Sequence, residues 1–170
     1  MDAEQLRSLQ APLKARYRQQ PETAQITLRA EGRLGEDVTC QVETGKAPVK
    51  AGLHPATGGD GLSACSGDML LEALVGCAGV TLNAVATALG IQLRNAKVRA
   101  EGDLDFRGTL GVSKDVAVGF ERIRLRFELD TDASAEQVAT LIRLTERYCV
   151  VYQTLNRPAK IDVESELTAG

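Results

Sequence analysis

A chain of 170 residues that is 44% hydrophobic, only 4% aromatic and free of tryptophan can bury one core of Leu, Val, Ile and Ala without disulfide help. Its net charge is -3, and it has no basic run, RNA-binding signature or basic amphipathic helix, so composition excludes a pull toward nucleic acid or an anionic membrane. Asp2 and Glu4 follow Met1 with no signal-peptide pattern, and the expected location is the cytoplasm.

Leu6, Leu9, Leu13 and Tyr17 recur at roughly helical spacing with Pro12 among them, which predicts one kinked helix or two short ones. Residues 1–22 read as an N-terminal helical extension and residues 23–170 as the main domain. Ile26 and Leu28 alternate with polar residues, as do Val38, Cys40 and Val42, so the spacing predicts a β-hairpin with Arg33 in its turn. Residues 50–68 are loop by composition. "GDGLSA" there matches GxGxxA loosely, but no buried strand precedes it, and a dinucleotide site is rejected. His54, beside Pro55, is read as incidental.

"LLEALVGCAGVTLNAVATALG", residues 70–90, predicts a helix starting near Asp68, which favours an N-terminus, and stopping at Gly90. It is long enough to raise the question of a membrane span. Glu72, Asn83, two Thr and two Gly favour a central helix of a soluble domain, covered on several faces. Two alternating stretches follow. In the second, Phe120, Ile123, Leu125, Phe127 and Leu129 share a face, with a slip near Glu121 that suggests a bulge. "SAEQ" at 134–137 is a capping box opening a helix whose apolar stripe runs through Leu141, Thr145, Cys149 and Tyr152. Ile161, Val163 and Leu167 mark a final strand. The order of elements is that of an α+β fold.

Cysteines stand at 40, 65, 77 and 149, with no CxxC pair and one histidine, so a structural zinc site has little to build on. A lone cysteine in an apolar helix is more often inert packing than a reagent. Cys40 and Cys65 fit that description. Cys77 and Cys149, however, each lie on a long helix, and both helices must cover the same sheet, so the two thiols can come within disulfide reach. Cys77 lies beyond the first turn of its helix, so its activation must come from another element, as an arginine.

"SGDMLLEALVGCAGVTL", followed far downstream by "ERYCVVYQTL", resembles the osmotically inducible protein C and organic hydroperoxide resistance (OsmC/Ohr) family over roughly residues 25–167. The resemblance implies an OsmC-like fold: curved antiparallel sheets packed around a central apolar helix, in an intertwined homodimer with active sites at the subunit interface. It further implies a thiol peroxidase that reduces organic hydroperoxides, with a dithiol reductant, of the lipoyl type in some relatives. Cys77 matches the peroxidatic cysteine and Cys149 the resolving one. Asp68 falls nearest the family's active-site carboxylate, often a Glu. Arg33 is the best match for the activating arginine and Arg29 the fallback. Val150 stands where a proline often follows the second cysteine.

The function expected from the resemblance is reduction of an apolar hydroperoxide through a Cys77 sulfenic acid and a Cys77–Cys149 disulfide. Arg33 and Asp68 would assist, and no metal or organic cofactor would be needed. The alternative is an OsmC-like dimer without peroxidase activity, serving as a small-ligand binder or a stress-related structural protein, because fold does not fix function.

Overall fold

The structure, a computed structural model, describes residues 2–20, 31–34, 39–43 and 48–167, with backbone alone at 9, 13, 16–18, 31–34, 39–43 and 48. Helix α1 (Ala3–Gln19) opens on a reciprocal cap in which the Gln5 amide donates to Asp2 Oδ1 (2.8 Å) and the Asp2 amide to Gln5 Oε1 (3.0 Å). It runs unbroken through Pro12, which removes only one backbone donor, and packs on the central helix.

Strands β1 (Glu31–Leu34), β2 (Thr39–Glu43), β3 (Pro48–Gly52) and β4 (Ala64–Cys65) form a sheet in that order. The first three pair antiparallel, whereas β3 and β4 pair parallel. The expected hairpin exists, but its register differs. Arg33 lies inside β1 opposite Gln41 instead of in the turn, because the pairing is centred closer to residues 35–38. The Ile26–Leu28 segment and Arg29 fall outside the described residues. Lys50 to Gly52, expected as loop, belong to β3, since the edge of β2 supplies the ladder that composition could not announce.

Helix α2 (Ser66–Leu89) starts two residues earlier than expected, with Asp68 in its first turn, and ends at Gly90. Gly90 has φ +69°, the left-handed conformation that glycine adopts most cheaply, and its N–H satisfies the Ala86 and Thr87 carbonyls. Leu74, Ala78, Leu82 and Ala86 are buried at four-residue spacing, while Val80 on the other side is 74% exposed. Cover on several faces is therefore only partly supplied within the chain. By length and composition alone α2 is also long enough to cross a membrane.

Strands β5 (Asn95–Asp103) and β6 (Arg122–Asp130) form a second, two-stranded antiparallel sheet with unbroken pairing from Asn95↔Asp130 to Asp103↔Arg122. No bulge interrupts it. The slip near Glu121 arises because β6 starts one residue later, with the Glu121 N–H donating to the Asp103 carbonyl (2.9 Å). Between the strands, Asp105 caps a single turn, α3 (Phe106–Thr109). Helix α4 (Ala135–Tyr148) begins with the expected capping box, the Ser134 N–H donating to Gln137 Oε1 (2.8 Å) and the Gln137 N–H to Ser134 Oγ (3.3 Å). Leu82, Ala86, Ile91 and Leu141 join α2 to α4 in a buried cluster, with Val98, Phe127 and Leu129 of the sheet packed against it.

The predicted late helix is two helices. Residue 149 has extended backbone (φ -73°, ψ 109°) and ends α4, and α5 (Val150–Asn156) follows at once. The final strand is also absent: residues 158–167 have no regular structure, with Ile161 83%, Val163 88% and Leu167 98% exposed. Alternation creates a strand only where a neighbour offers a ladder, and among the described residues none does.

Candidate active site

The middle of α2 faces the α4–α5 junction, and this contact brings together two cysteines remote in sequence. Cys77 is partly exposed, whereas Cys149 is 1% exposed, and both are free thiols. The two side chains bear on each other's acidity. The two nonetheless have opposite acidities. Burial pushes Cys77 up, but hydrogen bonding from the Val151 N–H, the Cys149 thiol and the Val150 N–H outweighs it, leaving its pKa below that of an ordinary thiol. Cys149 is raised, chiefly by burial and further by the neighbouring Cys77 sulfur, against the opposing Tyr152 N–H.

The α4–α5 break explains this division. Breaking the helix at Cys149 frees the Val150 and Val151 N–H groups from intrahelical bonding and presents them to Cys77. Cys149 itself becomes the N-cap of α5, its Sγ accepting the Tyr152 N–H at 3.5 Å. Thr81 also stands beside Cys77, but its single hydroxyl proton goes to the Cys77 carbonyl (2.8 Å), so the two backbone donors and the Cys149 thiol carry the effect on the sulfur. Sequence reasoning looked for an arginine and missed these two amides. The only signal was the unpatterned "CVV" itself, since cysteine is not among the usual cap residues.

Asp68 does not adjoin Cys77 in the same chain. Nine residues of helix separate them by roughly 13 Å along the axis, at ~1.5 Å per residue. Asp68 instead lines a cavity of about 370 Å³ with His54, Cys65 and Phe120. His54, read from the sequence as incidental, caps the turn at Pro55–Thr57 by accepting the Ala56 N–H on Nδ1 (3.0 Å) and stacks on Phe106 at 5.0 Å. Cys65, expected in a loop, closes β4 and precedes the first turn of α2. The backbone of Arg33 is in β1, and the course of its side chain lies outside the described residues. No group of three His, Cys, Asp or Glu side chains suited to a metal occurs among the described residues.

A family model for OsmC-like proteins matches residues 58–164, more than half of the chain and all of the α2–α5 constellation. The chain belongs to the OsmC-like family. Solved structures share its α+β fold. An OsmC-like protein from Mycoplasma pneumoniae is 18% identical with a TM-score of 0.66, the match covering 78% of this chain and 89% of that one. Two organic hydroperoxide resistance proteins are similar to it as well. That from Elizabethkingia anophelis is 16% identical with a TM-score of 0.62, over 79% and 90% of the two chains. That from Legionella pneumophila is 14% identical with a TM-score of 0.61, over 78% and 90%. At such identities the likeness is one of fold. No curated protein sequence matches the chain.

Proposed function

We propose that this OsmC-like chain is a thiol peroxidase for organic hydroperoxides. The observation that carries the reading is the placement of a partly exposed Cys77 on α2 against the α4–α5 junction that holds the buried Cys149, an arrangement in which hydrogen bonding lowers Cys77 and burial raises Cys149. Cys77 thiolate attacks the distal peroxide oxygen. The O–O bond breaks, the alkoxide takes a proton and leaves as an alcohol, and the Cys77 sulfur is oxidised to sulfenic acid. The Cys149 sulfur then bonds to that of Cys77, expelling hydroxide that leaves as water. An external dithiol, of the lipoyl type among the candidates, reduces the disulfide by exchange and is itself oxidised.

Arg33 supplies the cation that orients the peroxide. Since Asp68 is too far along α2 to reach its own Cys77, the carboxylate and Arg33 act at a subunit interface in a homodimer. Exposed Val80 on α2 and exposed Ile161 and Val163 near the C-terminus are apolar surface for a second chain to cover. A reducing cytoplasm is the setting in which both thiols start each cycle reduced.

Thiol titration before and after one equivalent of an organic hydroperoxide tests the reading. Two thiols per chain should be lost, with a 77–149 disulfide recovered by peptide mapping. No loss would leave the fold to serve as a small-ligand binder or a structural dimer.

A further inference from the structure

Phe120 borders two cavities. The first, about 540 Å³, is a groove between the start of β6 and α5, with Leu74, Ile123, Leu125, Tyr152 and Leu155 as its apolar lining and Glu121, Arg122 and Asn156 as its polar lining. The second, about 370 Å³, continues toward Leu71, Leu104 and Phe106 and carries His54, Cys65 and Asp68. Both volumes fall in or near the range of small-molecule sites, ~300–1,000 Å³. Neither cysteine lines the groove, but two of its lining residues neighbour them. Leu74 lies one turn before Cys77 on α2, and Tyr152, in its lining, gives its N–H to Cys149.

The ring of Phe120 is seated on glycine. A Cβ on Gly102 would stand 2.5 Å from the ring, so only the absence of a side chain at 102 admits Phe120 where it now divides the cavities. On the other side a Cβ on Gly67 would meet the ring at 3.5 Å, ordinary contact distance. The ring is thus held between β5 and the first turn of α2, where Gly67 stands ten residues of helix, roughly 15 Å, before Cys77.

We propose that Phe120 is a specificity-determining wall: it stops the alkyl chain of a hydroperoxide whose O–O group lies at Cys77, and so sets the chain length the groove accepts. The identity of the occupant rests on the peroxidase reading above, whereas the division of the two cavities does not.

A series of straight-chain alkyl hydroperoxides of increasing length tests this. In the wild type kcat/KM should rise with length and then level off. In Phe120→Ala the rise should continue past that point by about fourfold per added methylene, the worth of burying one CH₂. The gain should appear in KM with kcat unchanged, because no interaction with the reacting atoms is altered. Phe120→Leu, which keeps more of the packing, should move the levelling-off part of the way, and circular dichroism of both variants should match the wild type. A levelling-off at the same length in all three chains would overturn the wall. Should none of them reduce any hydroperoxide, the functional reading fails by itself, and calorimetric titration with 1-alkanols still decides the wall. Affinity should then stop rising at a longer alkanol in Phe120→Ala than in the wild type. An identical limit, or no binding to either chain, would overturn it.

Discussion

The two ends of α2 are built on different terms. In its C-terminal half one face is sealed: Leu82 and Ala86 interlock with Leu141 and Ile91, and the sheet closes over them, while Val80 on the other face is exposed. Its N-terminal half has Leu74 buried but lies beside two cavities, with Phe120 between them. Cys77 stands between these regimes, close enough to the packed half to be fixed and close enough to the open half to be reached. Dense packing immobilises side chains, and a cavity admits a ligand, so a nucleophile that must be both oriented and accessible is best placed at their border.

The largest effect should come from the border itself. Cys77→Ser should reduce hydroperoxide turnover to the uncatalysed background while leaving the thermal unfolding curve nearly unchanged, because serine almost matches cysteine in size but is a poor peroxide nucleophile. Turnover near the wild-type level would show that the reacting thiol lies elsewhere. Cys149→Ser should abolish repeated turnover yet consume one equivalent of peroxide, leaving a sulfenic acid on Cys77 that a sulfenic-specific probe labels. Sulfenic acid at Cys149 in Cys77→Ser would reverse the roles. Cys65→Ser should alter turnover little, since Cys65 lies across Phe120 from the groove.

Stability should separate the same two ends. Leu141→Ala removes a side chain with 0% exposure from the sealed half and should cost toward the upper part of the ~2–5 kcal/mol range for such truncations. Leu74→Ala removes a side chain that is also buried but borders the groove, where neighbours and solvent can occupy the space, and should fall at the lower end. Urea unfolding of both variants measures this. Equal costs would mean that the groove side is packed as tightly as the rest.

Features governed by local chemistry were legible in the sequence. The Ser134 capping box and Gly90 as the stop of α2 are properties of short patterns. Features set by long-range pairing were not legible. The expectation that the two cysteine-bearing helices share one sheet does not hold, since α4 packs on α2 and, of the two, α2 alone lies on β5. The position of Arg33 within β1 depends on which residue of β2 it faces, and alternation alone fixes a face but not a turn. Residues 158–167 alternate like a strand, yet a strand is a property of two segments. The break at Cys149 was hidden for a different reason. The apolar stripe through Thr145, Cys149 and Tyr152 continues at helical spacing across the junction, so periodicity reads one helix where the backbone makes two. Cap geometry decided the matter, and cysteine is a cap that propensity does not anticipate.

The smallest effect tests how the break acts on Cys77. The lowered pKa of Cys77 has two kinds of local support, the Val150 and Val151 N–H groups and the Cys149 thiol. Cys149→Ala removes the thiol and keeps the amides. The midpoint of the pH dependence of Cys77 alkylation should therefore move up, by less than the full distance to an ordinary thiol. In the wild type the direction is fixed by the same groups: Cys77 should be alkylated first as pH rises, and Cys149, whose pKa is raised by burial, only at higher pH. Should the midpoint in Cys149→Ala reach that of an unperturbed thiol, the neighbouring thiol would account for all of the activation. The orientation of the α5 amides would then contribute nothing, and the α4–α5 break would serve only to cap Cys149. A partial shift would instead assign the remainder to two backbone donors that no side-chain substitution at 150 or 151 removes, except proline. Val151→Pro deletes one donor outright at a position near the start of α5 where proline is tolerated, so it should raise the midpoint further in the Cys149→Ala background while α5 persists.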